Sequence, residues 1–184
     1  MKVLPSDLPG VLIVEPSLHR DGRGFFFEAY RADMYRAHGI VDTFVQENQS
    51  RSQRGTLRGL HLQGSPHPQA KLVRVLAGEI YDVAVDVRRG SPTFGRWAAV
   101  TLSAENFRQW YVPCGFAHGF AVTSEVADVE YKCSEFYDPA SEMGIAWNDP
   151  ALAIPWPVDP PILSERDRRH PRLADLGDRL PPFE

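Results

Sequence analysis

A chain of 184 residues, 43% hydrophobic and 24% charged, has enough apolar surface for one substantial core and is neither disordered nor membrane-like in composition. Its formal net charge of −4 gives no general attraction for polyanions, which excludes nucleic-acid binding without a local basic patch, and no such patch is visible. No apolar stretch is long enough to span a bilayer, the N-terminus lacks the apolar centre of a signal peptide, and two cysteines without CxxC spacing make no disulfide framework, so reduced thiols and a cytoplasmic location are expected.

Val11–Val14 is an apolar run between Pro9-Gly10 and Pro16, which predicts a short or edge strand. Arg20–Gly24 reads as a turn, Phe25–Tyr30 as an aromatic strand, and Arg31–His38 as a short peripheral helix with Gly39 at its C-terminal cap. Thr43–Ser52 opens as a strand and becomes polar, with Gln46 and Asn48 on one face by alternation. From this stretch alone a solvated strand end is a simpler account than a pair of amides lining a pocket.

Gly55–His61 places a cation, Arg58, and a titratable ring, His61, on one apolar run. Three residues apart on an extended chain they point to opposite faces; they share a pocket only if Gly59 twists the run. Without that twist His61 is a hydrogen-bonded core histidine. Leu72–Ala77 and Ile80–Val87 then read as a hairpin through Gly78-Glu79, with Tyr81, Val83, Val85 and Val87 on one face and Asp82 and Asp86 on the other. Gly90–Gly95 is a turn, and Trp97–Leu102 and Trp110–Pro113 are further strands. Val126–Phe136 alternates Val129, Tyr131 and Cys133 against Asp128, Glu130 and Lys132. Many short strands separated by Gly and Pro turns predict an all-β antiparallel barrel or jelly roll with a few short peripheral helices. After Tyr137 the chain reads as an irregular wrap, in which Ser164–Arg169 begins a short helix and Ser164-x-x-Asp167 has capping-box spacing. A single domain over 1–184 is expected, with N-terminal strands over 1–50, a barrel core over 51–137 and a wrap over 138–184.

Two segments, Gly55-x5-His61 and Pro113-x-Gly115-x-x-His118, resemble the paired motifs of the cupin superfamily of jelly-roll barrels. Metal-binding cupins place a second histidine two residues after the first and a carboxylate soon after; here the position is Gln63, and Pro66-His67-Pro68 offers no carboxylate. Two remaining ligands are too few for a three- or four-ligand site, so no metal is expected, and His61 is left free for acid–base work.

The resemblance narrows with Gly55-Thr-Leu-Arg-Gly-Leu-His61-Leu-Gln63, Gln69-Ala-Lys71-Leu-Val73, Asp82-Val-Ala-Val-Asp86-Val-Arg88, Ser91-Pro-Thr-Phe-Gly95, Gly115-Phe-Ala-His118-Gly-Phe120 and Trp147-Asn-Asp-Pro150. In that order they resemble the dTDP-4-dehydrorhamnose 3,5-epimerase family, over about Gly10 to Asp167. The resemblance implies an isomerase with no cofactor that inverts the carbons flanking the ketone of dTDP-4-dehydro-6-deoxy-D-glucose. Such a reaction needs a base for the proton α to a carbonyl, a cation for the enolate oxygen, and a proton donor on the opposite ring face. By resemblance His61 is the base, Asp167 its carboxylate partner, Tyr131 the donor and Lys71 a cation at the enolate oxygen. Substrate contacts implied in the same way are Arg23 at the pyrophosphate, Tyr137 stacked on thymine, and Glu28, Gln46, Asn48, Arg58, His118, Glu142 and Arg166. From the residues alone Asp167 reads better as a helix cap and Tyr131 as a core ring. The chain departs from the family at Leu62, where an aromatic is frequent, at Gly22, where an acid is common, and at Arg166, which replaces a frequent lysine.

Three other functions suit the same residues. A relative inverting only C3 or C5 uses the same base; a noncatalytic cupin binds a nucleotide sugar or a metal; a sugar-phosphate isomerase needs no nucleotide. The resemblance also implies a homodimer with crossing N-terminal strands, with Arg23 and Glu28 supplied to either subunit's site.

Overall fold

The computed structural model describes residues 1–183. Its strands are β1 Lys2–Pro5, β2 Leu12–Glu15, β3 His19–Asp21, β4 Gly24–Phe26, β5 Gln46–Gln53, β6 Leu57–Gln63, β7 Lys71–Ala77, β8 Glu79–Asp86, β9 Trp97–Ser103, β10 Gln109–Val112, β11 Phe116–Val122, β12 Val126–Cys133 and β13 Glu142–Gly144. Helix α1 spans Ala32–Ala37, and short 3-10 turns cover Asp167–Arg169, Leu173–Asp175 and Gly177–Arg179. No helix among the described residues is long and apolar enough to cross a membrane.

Two antiparallel sheets face one another in a jelly roll, as expected. One runs β1-β2-β10-β7-β12-β5 and the other β13-β6-β11-β8-β9, with β3 and β4 forming a separate ribbon. Alternation explains the layering. Even-numbered Ile80 and Ala84 of β8 point between the sheets, where they meet Val73, Val75, Trp110, Phe120 and Val129. Odd-numbered Val83, Val85 and Val87 point outward and are covered by Leu152, Leu173, Leu176 and Leu180 of the C-terminal wrap. On the back of the other sheet Leu72 and Tyr111 pack under Tyr35 and Ile40, which gives the short α1 segment its purpose. Both cysteines are free.

Three local expectations change. The hairpin at Gly78 does not form: β7 pairs with β10 and β12, and β8 with β11 and β9. Both strands are central in their sheets, so each already has two neighbours, and the tight Gly78 turn carries the chain from one layer to the other. It is a position for glycine, since φ is +77° and a Cβ would fall 2.0 Å from the Val126 carbonyl oxygen. The aromatic strand ends at Phe26, with Phe25 and Phe26 exposed on a two-stranded ribbon that pairs with no further strand among the described residues. The strand expected from Thr43 begins only at Gln46; its polar part forms the ladder with β12 while the apolar start stays outside it.

Candidate active site

Between the two sheets lies a cavity of about 610 Å³, a size suited to a small organic ligand. Its walls come from different sheets. His61 and Arg58 on β6 and His118 on β11 line one; Gln46 and Asn48 on β5, Lys71 on β7 and Tyr131 on β12 line the other; Tyr137, Glu142, Arg166 and Asp167 close the rim.

The way Arg58 and His61 come to share the cavity is visible in the pairing register. His118 lies opposite His61, but Phe120, two residues on, lies opposite Arg58, three residues back. One extra residue on β6 is a β-bulge, and it resets the alternation. Leu60 and Leu62 therefore pack on the outer face while Arg58 and His61 both point inward. Gly59 permits this with φ +134° and by its lack of a side chain, since a Cβ would fall 2.6 Å from Gly119 Cα.

His61 Nε2 is 2.6 Å from Asp167 Oδ1, and Asp167 is buried. The Asp167 backbone N–H donates to Ser164 Oγ at 3.1 Å, so half of the expected capping box forms while the carboxylate is directed to His61. Burial alone raises the Asp167 carboxyl, but His170, His61 and Ser164 around it outweigh burial and hold it well below the usual carboxylate range. For His61 burial dominates and lowers the ring below its ordinary value, with Asp167 opposing. Burial lowers the Lys71 ammonium and raises the Tyr131 phenol. A neutral imidazole beside an ionised carboxylate is the arrangement of a base whose imidazolium is stabilised as it forms.

A second pair lies deeper: His118 Nε2 is 2.6 Å from Asp82 Oδ1, both buried, and Asp82 Oδ2 has no hydrogen-bond partner among the described residues. At the rim Glu142 Oε2 accepts from Tyr137 Oη at 2.9 Å and from Arg166 Nη1 at 2.5 Å. Gln46 Nε2 donates to Asn48 Oδ1 at 3.1 Å, and its Oε1 accepts the Tyr137 N–H at 2.9 Å. The amide pair thus belongs to a polar wall and not to a solvated strand end. Gln63, at the position where metal-binding cupins carry a histidine, donates to the His67 and Phe136 carbonyls and accepts from the Asp138 N–H, so its amide is committed to loop closure.

Two expected site residues are not brought together with the rest. Arg23 lies in the β3–β4 turn, its side chain 91% exposed and paired with Asp21, and Glu28 faces Arg31 in a separate groove. Within one chain neither lines the cavity: the ribbon packs through Phe25 on Phe107, with ring centroids 4.8 Å apart, and Arg23 and Glu28 lie in grooves of their own. Ser50, Gln69, Phe120, Asp82 and His170 are neighbours of the site to which the sequence assigned no role. Asp82 had a signal, a carboxylate alternating with valines in a core strand; His170 had none.

Fold and site together define a cupin-type jelly-roll epimerase, a member of the isomerase class. A family model described as dTDP-4-dehydrorhamnose 3,5-epimerase matches residues 5–175, and the chain belongs to that family. It is 52% identical over 177 residues to the dTDP-4-dehydrorhamnose 3,5-epimerase of Pseudomonas aeruginosa, covering 95% of this chain and 97% of the relative. A crystal structure of the dTDP-6-deoxy-D-glucose-3,5-epimerase of Legionella pneumophila in complex with dTDP-4-keto-L-rhamnose is 50% identical and superposes with a TM-score of 0.95, covering 100% of this chain and 98% of that one. A 3'-monoepimerase from Streptomyces bikiniensis in complex with dTDP-quinovose is 39% identical, with a TM-score of 0.91 and coverage of 97% and 92%.

Proposed function

We propose that the chain is a dTDP-4-dehydrorhamnose 3,5-epimerase that converts dTDP-4-dehydro-6-deoxy-D-glucose to dTDP-4-dehydro-L-rhamnose. The observation that carries this reading is the 2.6 Å His61–Asp167 pair on one wall of the cavity with Tyr131 on the other. Neutral His61 removes the proton from a carbon beside the 4-ketone; the C–H electron pair passes into an enolate, and Asp167 stabilises the imidazolium. The ammonium of Lys71, half-buried at the head of β7, offsets the charge gathering on the enolate oxygen. Tyr131 returns a proton from the opposite ring face and leaves the carbon inverted. The same cycle serves C3 and C5, both acidified by one ketone.

For the nucleotide end, Tyr137 at the rim is the aromatic platform for thymine, with Gln46, Asn48 and Glu142 as polar contacts, and Arg58 and Arg166 meet the diphosphate side. His118, held by Asp82, contacts the sugar. Arg23 and Glu28 act on a neighbouring subunit's site in a homodimer, which accounts for their distance from the cavity of their own chain. The whole of 1–184 is read as one domain working in the cytoplasm.

Proton NMR of the 4-keto substrate in deuterium oxide tests the assignment. Deuterium is expected at both C3 and C5; entry at one carbon only makes the chain a monoepimerase. His61→Ala is expected to abolish both exchanges while leaving dTDP affinity within about threefold.

A further inference from the structure

One nitrogen beside the His61–Asp167 pair takes no part in the proposed proton transfers. His170 Nε2 is buried and, among the described residues, makes no hydrogen bond of acceptable geometry, although it lies 3.3 Å from Asp167 Oδ1. That oxygen is 2.6 Å from His61 Nε2, and the ligand atoms of the three side chains lie within 4.8 Å of one another. The His170 ring stands edge-on to that of His61, at 5.5 Å between centroids and 82° between planes. It occupies a notch that exists because residue 144 is glycine: a Cβ there would fall 2.1 Å from the ring, and Gly144 lies opposite His61 in the ladder.

We propose that His61, Asp167 and His170 form a reversible binding site for a divalent transition-metal cation, Zn²⁺ foremost, whose occupation switches off the base. Two imidazoles and one carboxylate are a donor set that Zn²⁺ favours, with a fourth position left to water from the cavity. Ligand distances of about 2.0–2.2 Å place tetrahedral ligand atoms roughly 3.4 Å apart. The Asp167–His170 separation already matches. The His61–Asp167 contact has to open by about 0.8 Å as the ion takes the Nε2 lone pair and the ring proton moves to Nδ1, which leaves the imidazole no free lone pair to act as a base. Asp167 and His170 sit on and directly after one 3-10 turn, so they move as a unit while His61 stays anchored in β6. Two cations oppose the ion: Arg166, whose Nη2 is 3.5 Å from His61 Nε2, and Lys71. The site is therefore weaker than a closed structural zinc site. It does not hold Mg²⁺, which prefers oxygen ligands and keeps its waters.

That binding inhibits turnover rests on the reading of His61 as the base; the binding itself does not. The test is a Co²⁺ titration of the full chain without substrate, followed by visible absorption. Bands of a four-coordinate ion are expected, saturating at one per chain and displaced by Zn²⁺. His170→Ala and His170→Phe, the second keeping a ring over Gly144, are expected to weaken binding at least tenfold, or roughly 10–100-fold. Zn²⁺ inhibition of deuterium exchange, referenced to each variant's metal-free rate, is expected to weaken in parallel and to be reversed by a chelator, with Mg²⁺ without effect. Absence of the bands, or equal Co²⁺ affinity in the His170 variants, overturns the site. Zn²⁺ inhibition without the bands assigns the ion to the substrate diphosphate and overturns it equally. Bands with undiminished turnover keep the site and overturn the reading of His61 as base.

Discussion

Burial pushes the three groups proposed to act on the substrate in directions that suit different parts of the pH scale. His61 is lowered from 6.5, so it is neutral at pH 7 and is lost as a base when pH falls through its folded value, below 6.5. Lys71 is lowered from 10.5 and Tyr131 raised from 10.0. Burial thus draws the loss of the Lys71 charge down from 10.5 and pushes ionisation of Tyr131 up from 10.0. A bell-shaped profile of kcat/KM for deuterium exchange is expected, with an acid limb below 6.5 from His61 and an alkaline limb below 10.5 from Lys71. Lys71→Arg is expected to move the alkaline limb upward, because guanidinium stays charged beyond pH 12. An alkaline limb that does not move in this variant removes Lys71 from the role of electrostatic partner.

Elements place these residues through two devices, a bulge and a clamped turn. The bulge at Gly59 is what aims Arg58 and His61 at one cavity, and it tolerates no side chain. Gly59→Ala is expected to lower stability by about 2 kcal/mol or more through backbone strain and overpacking, and to lower exchange activity further than stability alone accounts for. Chemical denaturation and activity measured on the same folded preparation check both parts. The turn after β8 is clamped by Asp86, whose buried carboxylate accepts from Ser91 Oγ and Thr93 Oγ1 at 2.6 Å each and from Arg88 Nη2 at 2.7 Å. Burial raises this carboxyl, yet the partners prevail and bring it to about 2 from 3.8. A depressed folded value stabilises above the unfolded one and is lost as pH falls from about 4 towards 2, a contribution of roughly 2 kcal/mol. Asp86→Asn is expected to be less stable by about that amount at pH 7, with the difference from the parent shrinking below pH 4; urea unfolding at both pH values measures it.

The whole molecule leaves one group of residues unaccounted for within a single chain. Arg23 and Glu28 lie outside the cavity, and Phe25 and Phe26 between them are 55% and 68% exposed. Exposed aromatics next to a cation expected at a diphosphate fit a segment that docks on a second copy. Sedimentation is expected to give a dimer, and Arg23→Ala to raise KM at least tenfold with kcat little changed. A monomer with full dTDP affinity sinks the crossing arrangement.

Local rules made much of the fold and site legible. Alternation along β8 and β12 placed Asp82, Asp86 and Tyr131 on their faces, and Gly, Pro and polar clusters marked most turns. These follow from sterics between chain neighbours, which the sequence carries in full. That His61 is a base and Asp167 its partner both rested on resemblance, because nothing local tells a capping aspartate from one reaching a histidine 106 residues away. Tertiary structure alone decided the rest: that the runs on either side of Gly78 lie in opposite sheets, that Gly59 resets the face of β6, and that His170 stands beside the His61–Asp167 pair. Each depends on which distant strands compete for the same edge and which polar atoms are buried together. That competition is resolved by long-range burial and pairing, of which no short window of sequence keeps a record.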